Sequence, residues 1–354
     1  EYMVRELVMP NVRAVYEHLA PVAADADVLV SHPLGLAMPL VAARSGQPWV
    51  ATVLAPMSLM SAHDPPVLPP APWLHALRRL GPAPHRWLYR LAARRLRRWE
   101  APLHALRAEL GLPPSPHAAM LDGQFSPLGN LALFDGVLAQ PQPDWPARTL
   151  VTGAALHDGA AADEATRAEL ETFLARGDPP IVFALGSSAV WIAGDFWERA
   201  ITAASALGRR AILLTGPGMP TALPDTMRAF RYLPYSAVFP RAAVVVHQAG
   251  IGTLAQAMRS GRPQLMLPVS FDQPDNARRA AALGIGKVLP FRKATVARLT
   301  AALAAVLDTP GRAKAAAALA GTLGASRGAE RAADALIACR RGPSAPPAVR
   351  DAGR

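Results

Sequence analysis

One stretch, residues 232–289, constrains the fold of this chain most strongly. A short apolar run at residues 243–246 leads through His247 into a glycine turn and a helical pattern, and a second apolar run follows at residues 264–267. Strands that alternate with helices predict a parallel sheet with helices on its faces. The polar residues follow the strands, at the sheet edge where open α/β proteins bind ligands. Because helix N-termini attract anions, the glycine turn predicts a phosphorylated ligand.

The same alternation runs through the rest of the chain. Further strands are predicted at residues 27–31, 48–54, 131–135, 180–185, 211–214 and 230–233. Helices are predicted at residues 2–20, 36–44, 73–110, 195–207, 296–307, 311–323 and 329–340. The length of 354 residues suits two domains. We place them at residues 1–147 and 148–340, with the proline-rich residues 141–146 as linker and residues 341–354 as a disordered tail.

Charge and cysteine content limit the classes of partner. The net charge of +11 favours anionic partners such as phosphates, nucleic acid or lipid head groups. Residues 78–99 carry eight arginines among leucines and two tryptophans, which is typical of a solvated arginine face or of a membrane-surface helix. No recognition motif accompanies the charge, so nucleic-acid binding is not expected. The single cysteine, Cys339, excludes an intramolecular disulfide and a cysteine-rich metal site.

Neither a signal peptide nor a membrane span is predicted. The uncharged residues 45–63 are long enough to consider as a span, but Pro48 and Pro56 break them, and a buried strand is expected instead. With one cysteine, the chain fits a reducing compartment, and we expect a cytoplasmic protein. The chain opens at Glu1 inside an amphipathic helix pattern, so we expect that an N-terminal piece precedes it.

The glycine turn also satisfies a second pattern. Gly250-x-Gly252-x-x-Ala255 matches the dinucleotide-binding fingerprint, and Asp272 lies about 20 residues further on. That fingerprint normally opens the first strand-helix-strand unit of its domain, whereas three predicted strands precede this one in the second half. Asp272 also lies beyond the end of the next strand, beside Gln273, and a carboxylate and an amide side by side suit sugar hydroxyls. An NAD-dependent oxidoreductase is therefore the weaker alternative.

In order and spacing, residues 232–289 resemble the donor-binding signature of the UDP-glycosyltransferase family of nucleotide-sugar glycosyltransferases. The matching residues are Tyr232-Leu233-Pro234, His247-Gln248, Gly250-x-Gly252-Thr253, Gln256 and Asp272-Gln273-x-x-Asn276. The resemblance covers about residues 28–340 and is closest to bacterial rhamnosyltransferases of glycolipid biosynthesis and to sterol glucosyltransferases. It implies the GT-B fold, an α/β architecture of two Rossmann-like domains that face each other across a cleft. The N-terminal, acceptor-binding domain would here lack its first strands, and the C-terminal domain would bind the donor.

The resemblance implies a role for each matching residue. Tyr232 and Leu233 would bind the nucleotide base, and Asp272 and Gln273 would bind the transferred sugar. Five hydroxyl and glycine residues would bind the diphosphate, namely Ser187, Ser188, Gly250, Gly252 and Thr253.

Two positions depart from the family pattern. The diphosphate-binding histidine of the family falls at Gln248, with His247 one residue earlier as a substitute. The ribose-binding glutamate of the family is Gln256, which weakens discrimination at the ribose hydroxyls and favours a deoxyribose donor.

The resemblance also implies an inverting transfer, in which a base takes the proton of the acceptor hydroxyl as its oxygen attacks the anomeric carbon. In the resembling enzymes the base is a histidine after the first strand, which we expect upstream of Glu1. An aspartate that orients it would fall near His32, which is either an acceptor-side group or a packed strand-end histidine. Asp64 and Asp122 are further candidates that the sequence does not rank.

The predicted function is that of a hexosyltransferase without a metal or a further cofactor. The donor would be a UDP- or dTDP-sugar, since N–H and hydroxyl donors can stabilise the departing diphosphate. A first half rich in leucine, methionine and tryptophan indicates a lipophilic acceptor, such as a glycolipid, a hydroxy fatty acid, a sterol or a natural product. The protein would be free in the cytoplasm or peripheral at the inner membrane face. A donor-binding subunit without catalytic activity is the other alternative.

Overall fold

The computed structural model describes residues 2–218, 220 and 222–340. The described chain folds into two compact units. The second unit consists of Val67–Pro72 and Ala154–Ser326, and the rest of the described chain forms the first. The predicted tail, residues 341–354, lies outside the described residues.

The first unit is built on a four-stranded parallel sheet of order β1-β2-β3-β4. Its strands are β1 (Leu29–Ser31), β2 (Trp49–Val53), β3 (Asn130–Ala132) and β4 (Thr149–Val151). Its helices before β4 are the π-helical segment Met3–Val8, α1 (Val12–Ala23), α2 (Met38–Ser45), the short 3-10 helix Pro56–Leu59, α3 (Ala83–Arg97) and α4 (Ala101–Glu109). A further 3-10 helix, Pro72–Leu80, leads into α3.

The second unit contains a six-stranded parallel sheet of order β10-β9-β8-β5-β6-β7. Its strands are β5 (Ile181–Ala184), β6 (Ala211–Leu214), β7 (Met227–Phe230), β8 (Val244–His247), β9 (Gln264–Met266) and β10 (Gly286–Val288). From β5 the chain runs outward through β6 and β7 and then crosses to β8 on the other side of β5. This reversal between β5 and β8 is the topological switch point at which doubly wound sheets bind ligands.

The helices of the second unit cover its sheet. They are α5 (Glu164–Leu174), α6 (Gly186–Ala189), α7 (Phe196–Ala206), α8 (Tyr235–Val238), α9 (Ile251–Arg259), α10 (Gln273–Ala282), α11 (Val296–Leu307) and α12 (Pro310–Leu323), with 3-10 turns at Val190–Ile192, Phe239–Arg241 and Phe291–Lys293. The last described helix, α13 (Gly328–Arg340), groups with the first unit. Local chemistry sets several helix starts. The Asp163 carboxylate, for example, accepts the Thr166 amide at 2.7 Å at the start of α5.

The central strands of both sheets are near-continuous buried runs, as expected of parallel strands covered on both faces. All four residues of β5, of β6 and of β8 are buried. In the second unit the ring of Phe196 packs edge-on against Phe183, with 6.3 Å between ring centroids. This core holds the carboxyl ends of the central strands in place, and those ends carry the polar residues of the signature.

The connection between the two halves differs from the one predicted. The proline-rich residues 141–146 pack into the first unit, because the Asp144 carboxylate accepts the Ser61 hydroxyl at 2.6 Å and the Ala62 amide at 2.7 Å. Leu150 falls in the predicted second domain, residues 148–340, but it pairs with Leu131 in the last strand of the first sheet. The units accordingly divide after Gly153.

The uncharged residues 45–63 contain β2, as predicted. Within the described part of the chain, every helix is too short or too polar to span a bilayer.

The arginine-rich region contains two helices, the 3-10 helix Pro72–Leu80 and α3, and apolar side chains of both are exposed to solvent. Trp73 and Trp87 are 69% and 63% exposed, and Leu80 and Leu91 are exposed as well. His85 is the buried residue of α3, so most of this helix lies at the surface of the unit. We refer to the exposed side chains of residues 73–98 as the Trp-Arg face.

Candidate functional site

The glycine turn lies at the switch point of the second sheet, where Ala184 of β5 stands opposite His247 of β8. Helix α9 begins at Ile251 with Gly250 as its N-cap, so Gly252 and Thr253 belong to the first helical turn. The first N–H groups of a helix have no partner within the helix. The Ile251 N–H bonds to Asp272, so the backbone donors of Gly252 and Thr253 and the positive end of the helix dipole are available at this point of the sheet.

The turn is held in a strained conformation by two side chains. Ala249 has φ of 65°, a left-handed conformation that costs a residue with a Cβ about 1–2 kcal/mol. Its N–H donates to Nδ1 of His247 at 3.1 Å, and its carbonyl accepts from Nδ2 of Asn276 at 3.1 Å. Strain of this kind persists only where the surroundings hold the conformation in place, and it clusters at functional sites.

The structure corrects the assignment of His247. Its side chain is fully buried, its Nδ1 accepts the Ala249 amide, and its Nε2 donates to Oε1 of Gln264 at 3.0 Å. Burial lowers the pKa of this imidazole to about 4, so the ring is neutral at pH 7. His247 therefore presents no ring nitrogen to a ligand and instead positions the turn.

Gln248 lies at the position of the family's diphosphate histidine, and its side chain is buried between two glycines. Its Nε2 lies 3.3 Å from the Thr253 hydroxyl, and its Oε1 has no hydrogen-bond partner among the described residues. A Cβ on Gly186, which has φ of 70°, would overlap the Gln248 amide, and a Cβ on Gly250 would lie 2.9 Å from it. Only glycines leave room for this amide.

Asp272 and Gln273 are brought to the same turn. Oε1 of Gln273 accepts the backbone amides of Val269 at 2.9 Å and Ser270 at 3.3 Å, which leaves its NH2 group as a donor. Oδ2 of Asp272 accepts Nδ2 of Asn276 at 2.6 Å. Burial raises the pKa of Asp272, while the hydrogen bonds from Asn276 and from the Ile251 backbone oppose that shift.

Sequence reasoning missed the buried anchor of this loop, Asp275, which fills a variable position of the Asp-Gln-x-x-Asn motif. Its carboxylate is fully buried and pairs with Nε of Arg279 at 2.6 Å, and it also accepts the Val67 amide at 3.0 Å. Arg278 lies 3.3 Å from the same carboxylate. The acidic residue four positions before an arginine on α10 was the available signal, but only burial reveals its importance.

Of the two residues assigned to the nucleotide base, one side chain is exposed and the other is buried. The Tyr232 ring is exposed, whereas Leu233 is buried in the core, so Leu233 can offer a ligand only its backbone. Partial desolvation of the hydroxyl raises the pKa of Tyr232, and the nearby charge of Asp158 raises it further. Nε2 of Gln256 donates to Oδ1 of Asp158 at 2.7 Å, a contact that the sequence did not indicate.

Ser187 follows the end of β5, beside Gly186, and is exposed. It belongs to the same edge of the sheet as the glycine turn, since β5 and β8 are neighbours. The side chain of Ser188 lies outside the described residues.

His32 lines a cavity of about 610 Å³ in the first unit, together with apolar side chains such as Leu36, Leu40 and Trp49. Its Nδ1 accepts the Leu34 amide at 3.1 Å, and burial lowers the pKa of the ring. The neutral ring therefore carries its proton on Nε2 and has no lone pair left to accept another. This tautomer counts against His32 as a general base.

A different histidine in the same cavity has the opposite tautomer. Nδ1 of His117 lies 2.7 Å from Oδ2 of Asp122 and must donate to it, because a carboxylate only accepts. In the neutral form of this ring, Nε2 therefore carries the lone pair. Asp122 also accepts the Ala118 amide at 2.8 Å, which holds the carboxylate in place.

Comparison with known proteins identifies relatives of this chain. Residues 215–338 match the family described as "Erythromycin biosynthesis protein CIII-like, C-terminal domain". The chain is 32% identical over 298 residues to the uncharacterized glycosyltransferase Rv1524 of Mycobacterium tuberculosis, and the match covers 82% of this chain and 68% of that protein. It is 34% identical over 235 residues to O-mycaminosyltylonolide 6-deoxyallosyltransferase of Streptomyces fradiae, covering 66% of this chain. The match spans only 54% of that enzyme, about half of its length.

Solved structures show the same fold. The glycotransferase of kitacinnamycin superposes with a TM-score of 0.67 at 22% identity, over 96% of this chain and 84% of that one. Spinosyn rhamnosyltransferase SpnG, solved with thymidine diphosphate, has a TM-score of 0.61 at 21% identity, over 90% of this chain and 77% of that one. The α/β fold predicted from the sequence, the GT-B fold of two Rossmann-like domains, is thereby confirmed. The chain belongs to the nucleotide-sugar glycosyltransferase family.

Proposed function

We propose that this protein transfers a hexose from a UDP- or dTDP-sugar to a hydroxyl of a lipophilic acceptor, with inversion at the anomeric carbon. The observation that supports this best is the convergence of Gly250, Thr253, Asp272 and Gln273 at the switch point of the second sheet. Backbone donors at a helix N-terminus suit a diphosphate, and the carboxylate beside the amide suits sugar hydroxyls. The Streptomyces fradiae relative is by its name a sugar transferase.

In the proposed reaction the acceptor oxygen forms a bond to the anomeric carbon, and the bond from that carbon to the diphosphate breaks. The leaving nucleoside diphosphate gains negative charge, which the first N–H groups of α9 would stabilise. The Gln248 amide can take part, because the Thr253 hydroxyl can donate as well as accept. A flipped amide keeps that contact through Oε1 and turns Nε2 toward a phosphate. These donors support a transfer that needs no metal.

The proton of the acceptor hydroxyl needs a base. Among the described histidines of the first-unit cavity, His117 fits this role better than His32, because its Nε2 is free to accept and Asp122 holds its ring. The apolar lining of the cavity, which includes Leu36, Leu40 and Phe125, supports a lipophilic acceptor.

A substitution of Gln273 distinguishes the contact with the sugar from the contact with the nucleotide. Gln273→Ala is expected to weaken binding of an intact UDP- or dTDP-hexose about tenfold, because it removes the amide that would bind the sugar. Binding of the bare nucleoside diphosphate should change little, and it is the internal control. Isothermal titration of both ligands checks this.

Other outcomes of the same titrations choose between functions. If neither UDP nor dTDP binds the unmodified protein, the donor site is wrong. Binding without release of nucleoside diphosphate in the presence of lipophilic acceptors would favour the donor-binding subunit. Binding of NAD in place of these ligands would favour the oxidoreductase.

The Trp-Arg face supports peripheral association with an anionic membrane. Residues 65–99 contain eight arginines and no acidic residue, and tryptophan and leucine side chains are exposed among them. Exposed indole rings and guanidinium groups close together in the sequence are typical of helices that lie in a lipid interface. Such a position would give the protein access to an acceptor dissolved in lipid.

Binding of the protein to lipid vesicles tests this association. The protein is expected to bind phosphatidylglycerol vesicles and to leave phosphatidylcholine vesicles unbound. Replacing Trp73 and Trp87 by alanine should reduce binding about tenfold or more, because two apolar rings are lost from the interface. Trp191→Ala, at a tryptophan of the second unit that is 73% exposed, is the matched control. Equal binding by the double variant and the control would contradict the association.

A further inference from the structure

Asp158 forms an unexpected pair with Gln256. Oδ1 of Asp158 accepts Nε2 of Gln256 at 2.7 Å and the backbone amide of Ser236 at 3.4 Å. Both hydrogen bonds that this carboxylate accepts among the described residues go to Oδ1. Oδ2, with two lone pairs, is left to accept from a ligand.

The pair lies beside an aromatic ring and a cavity. Asp158 and Gln256 line a cavity of about 340 Å³ in the second unit, together with Tyr235. The segment that carries Asp158 passes against the exposed ring of Tyr232, since a Cβ on Gly159 would lie 2.8 Å from the Tyr232 hydroxyl. An exposed ring can stack on a nucleobase, and a carboxylate accepts strongly from sugar hydroxyls. These groups together match the chemistry of a nucleoside.

We propose that Asp158 binds a hydroxyl of the nucleoside sugar and that the Asp158–Gln256 pair replaces a single carboxylate at position 256. The inference rests on the proposed donor site and names a residue of it that the signature does not contain. A glutamate at 256 would bring a second carboxylate within 2.7 Å of the first, and two like charges so close cannot both stay ionised without a large cost. Glutamine at 256 avoids that repulsion and donates to Asp158.

The test uses ligands that differ only in their sugar hydroxyls. Thymidine diphosphate keeps the 3′-hydroxyl, and 2′,3′-dideoxythymidine diphosphate has neither hydroxyl. The unmodified protein is expected to prefer thymidine diphosphate by about tenfold, as one charge-assisted hydrogen bond predicts. Asp158→Ala should abolish the preference. Asp158→Asn keeps an oxygen for the contacts to Gln256 and Ser236 and should reduce the preference to about threefold.

Two further variants complete the design. The double variant Asp158→Asn with Gln256→Glu transposes the amide and the carboxylate and is expected to restore the preference. Asp308→Ala, at an exposed residue after α11, should leave both affinities unchanged.

Equal losses for the two ligands in the Asp158 variants would show a structural role and overturn the inference. Tighter binding by Asp158→Ala would overturn it as well, since the segment would then obstruct the site. If the unmodified protein binds neither nucleotide, the proposed function itself fails. If it binds both but shows no preference between them, only the role of Asp158 fails.

Discussion

Asp275→Ala is expected to destabilise the second unit by about 3–5 kcal/mol, the cost of removing one partner of a buried ion pair. Asp275 is fully buried, and Arg279, its partner at 2.6 Å, is nearly so. Without the carboxylate, the guanidinium keeps its charge in a poorly solvated position, and the Val67 amide loses its acceptor. Urea unfolding followed by circular dichroism should show a transition midpoint that falls accordingly.

Asp195→Ala is the matched control, since it breaks an ion pair on the surface of the same unit. Asp195 lies 2.9 Å from Arg199, but its side chain is 77% exposed. An exposed pair of this kind contributes about 1 kcal/mol or less. A loss below about 1 kcal/mol for both variants would mean that Asp275 does not anchor the motif loop.

The stability of the second unit is expected to fall by about 3 kcal/mol as the pH drops from 6.5 to about 4, through His247 alone. Burial lowers the pKa of this imidazole from 6.5 to about 4, while the hydrogen bond with Gln264 acts in the opposite direction. In this window the unfolded chain binds a proton that the folded chain does not. The contribution is therefore complete above pH 6.5 and is lost as the pH falls.

The measurement compares the unmodified protein with His247→Gln in urea unfolding at pH 7 and near pH 4. Carboxylates such as Asp272 titrate in both proteins, so the difference between the two pH dependences isolates His247. The unmodified protein should lose about 3 kcal/mol more than the variant. Identical pH dependences would show that the ring is solvated, and its role in holding Ala249 would then be wrong.

Most elements of the second unit were predictable because their signals are local. The helices predicted at residues 296–307 and 311–323 and the strand at 211–214 agree with α11, α12 and β6 to within one residue. Their spacing of apolar residues follows from burial of one helix face or of a whole strand. The strand predicted at 230–233 is observed three residues earlier, at Met227–Phe230, where its backbone pairs with β6.

The connection between the units was less predictable. Prolines at residues 141–146 are typical of a linker, but a single carboxylate, Asp144, binds this segment to Ser61 and Ala62. That contact joins residues more than 80 positions apart, which local sequence patterns do not contain. The final helix α13, predicted to lie in the second domain, groups with the first unit for a similar long-range reason, since Gly328 lies against Gly153.

The sequence by itself determined the succession of strands and helices, the glycine turn, and the family to which residues 232–289 point. These depend on the order and spacing of residue types along a short stretch. Only the tertiary structure decided which polar groups remain for a ligand. His247 is used to hold the turn, Asp275 binds a buried arginine, and Gln256 donates to Asp158, which lies 98 residues away. A buried polar group must find a hydrogen-bond partner, and folding brings that partner from distant parts of the chain.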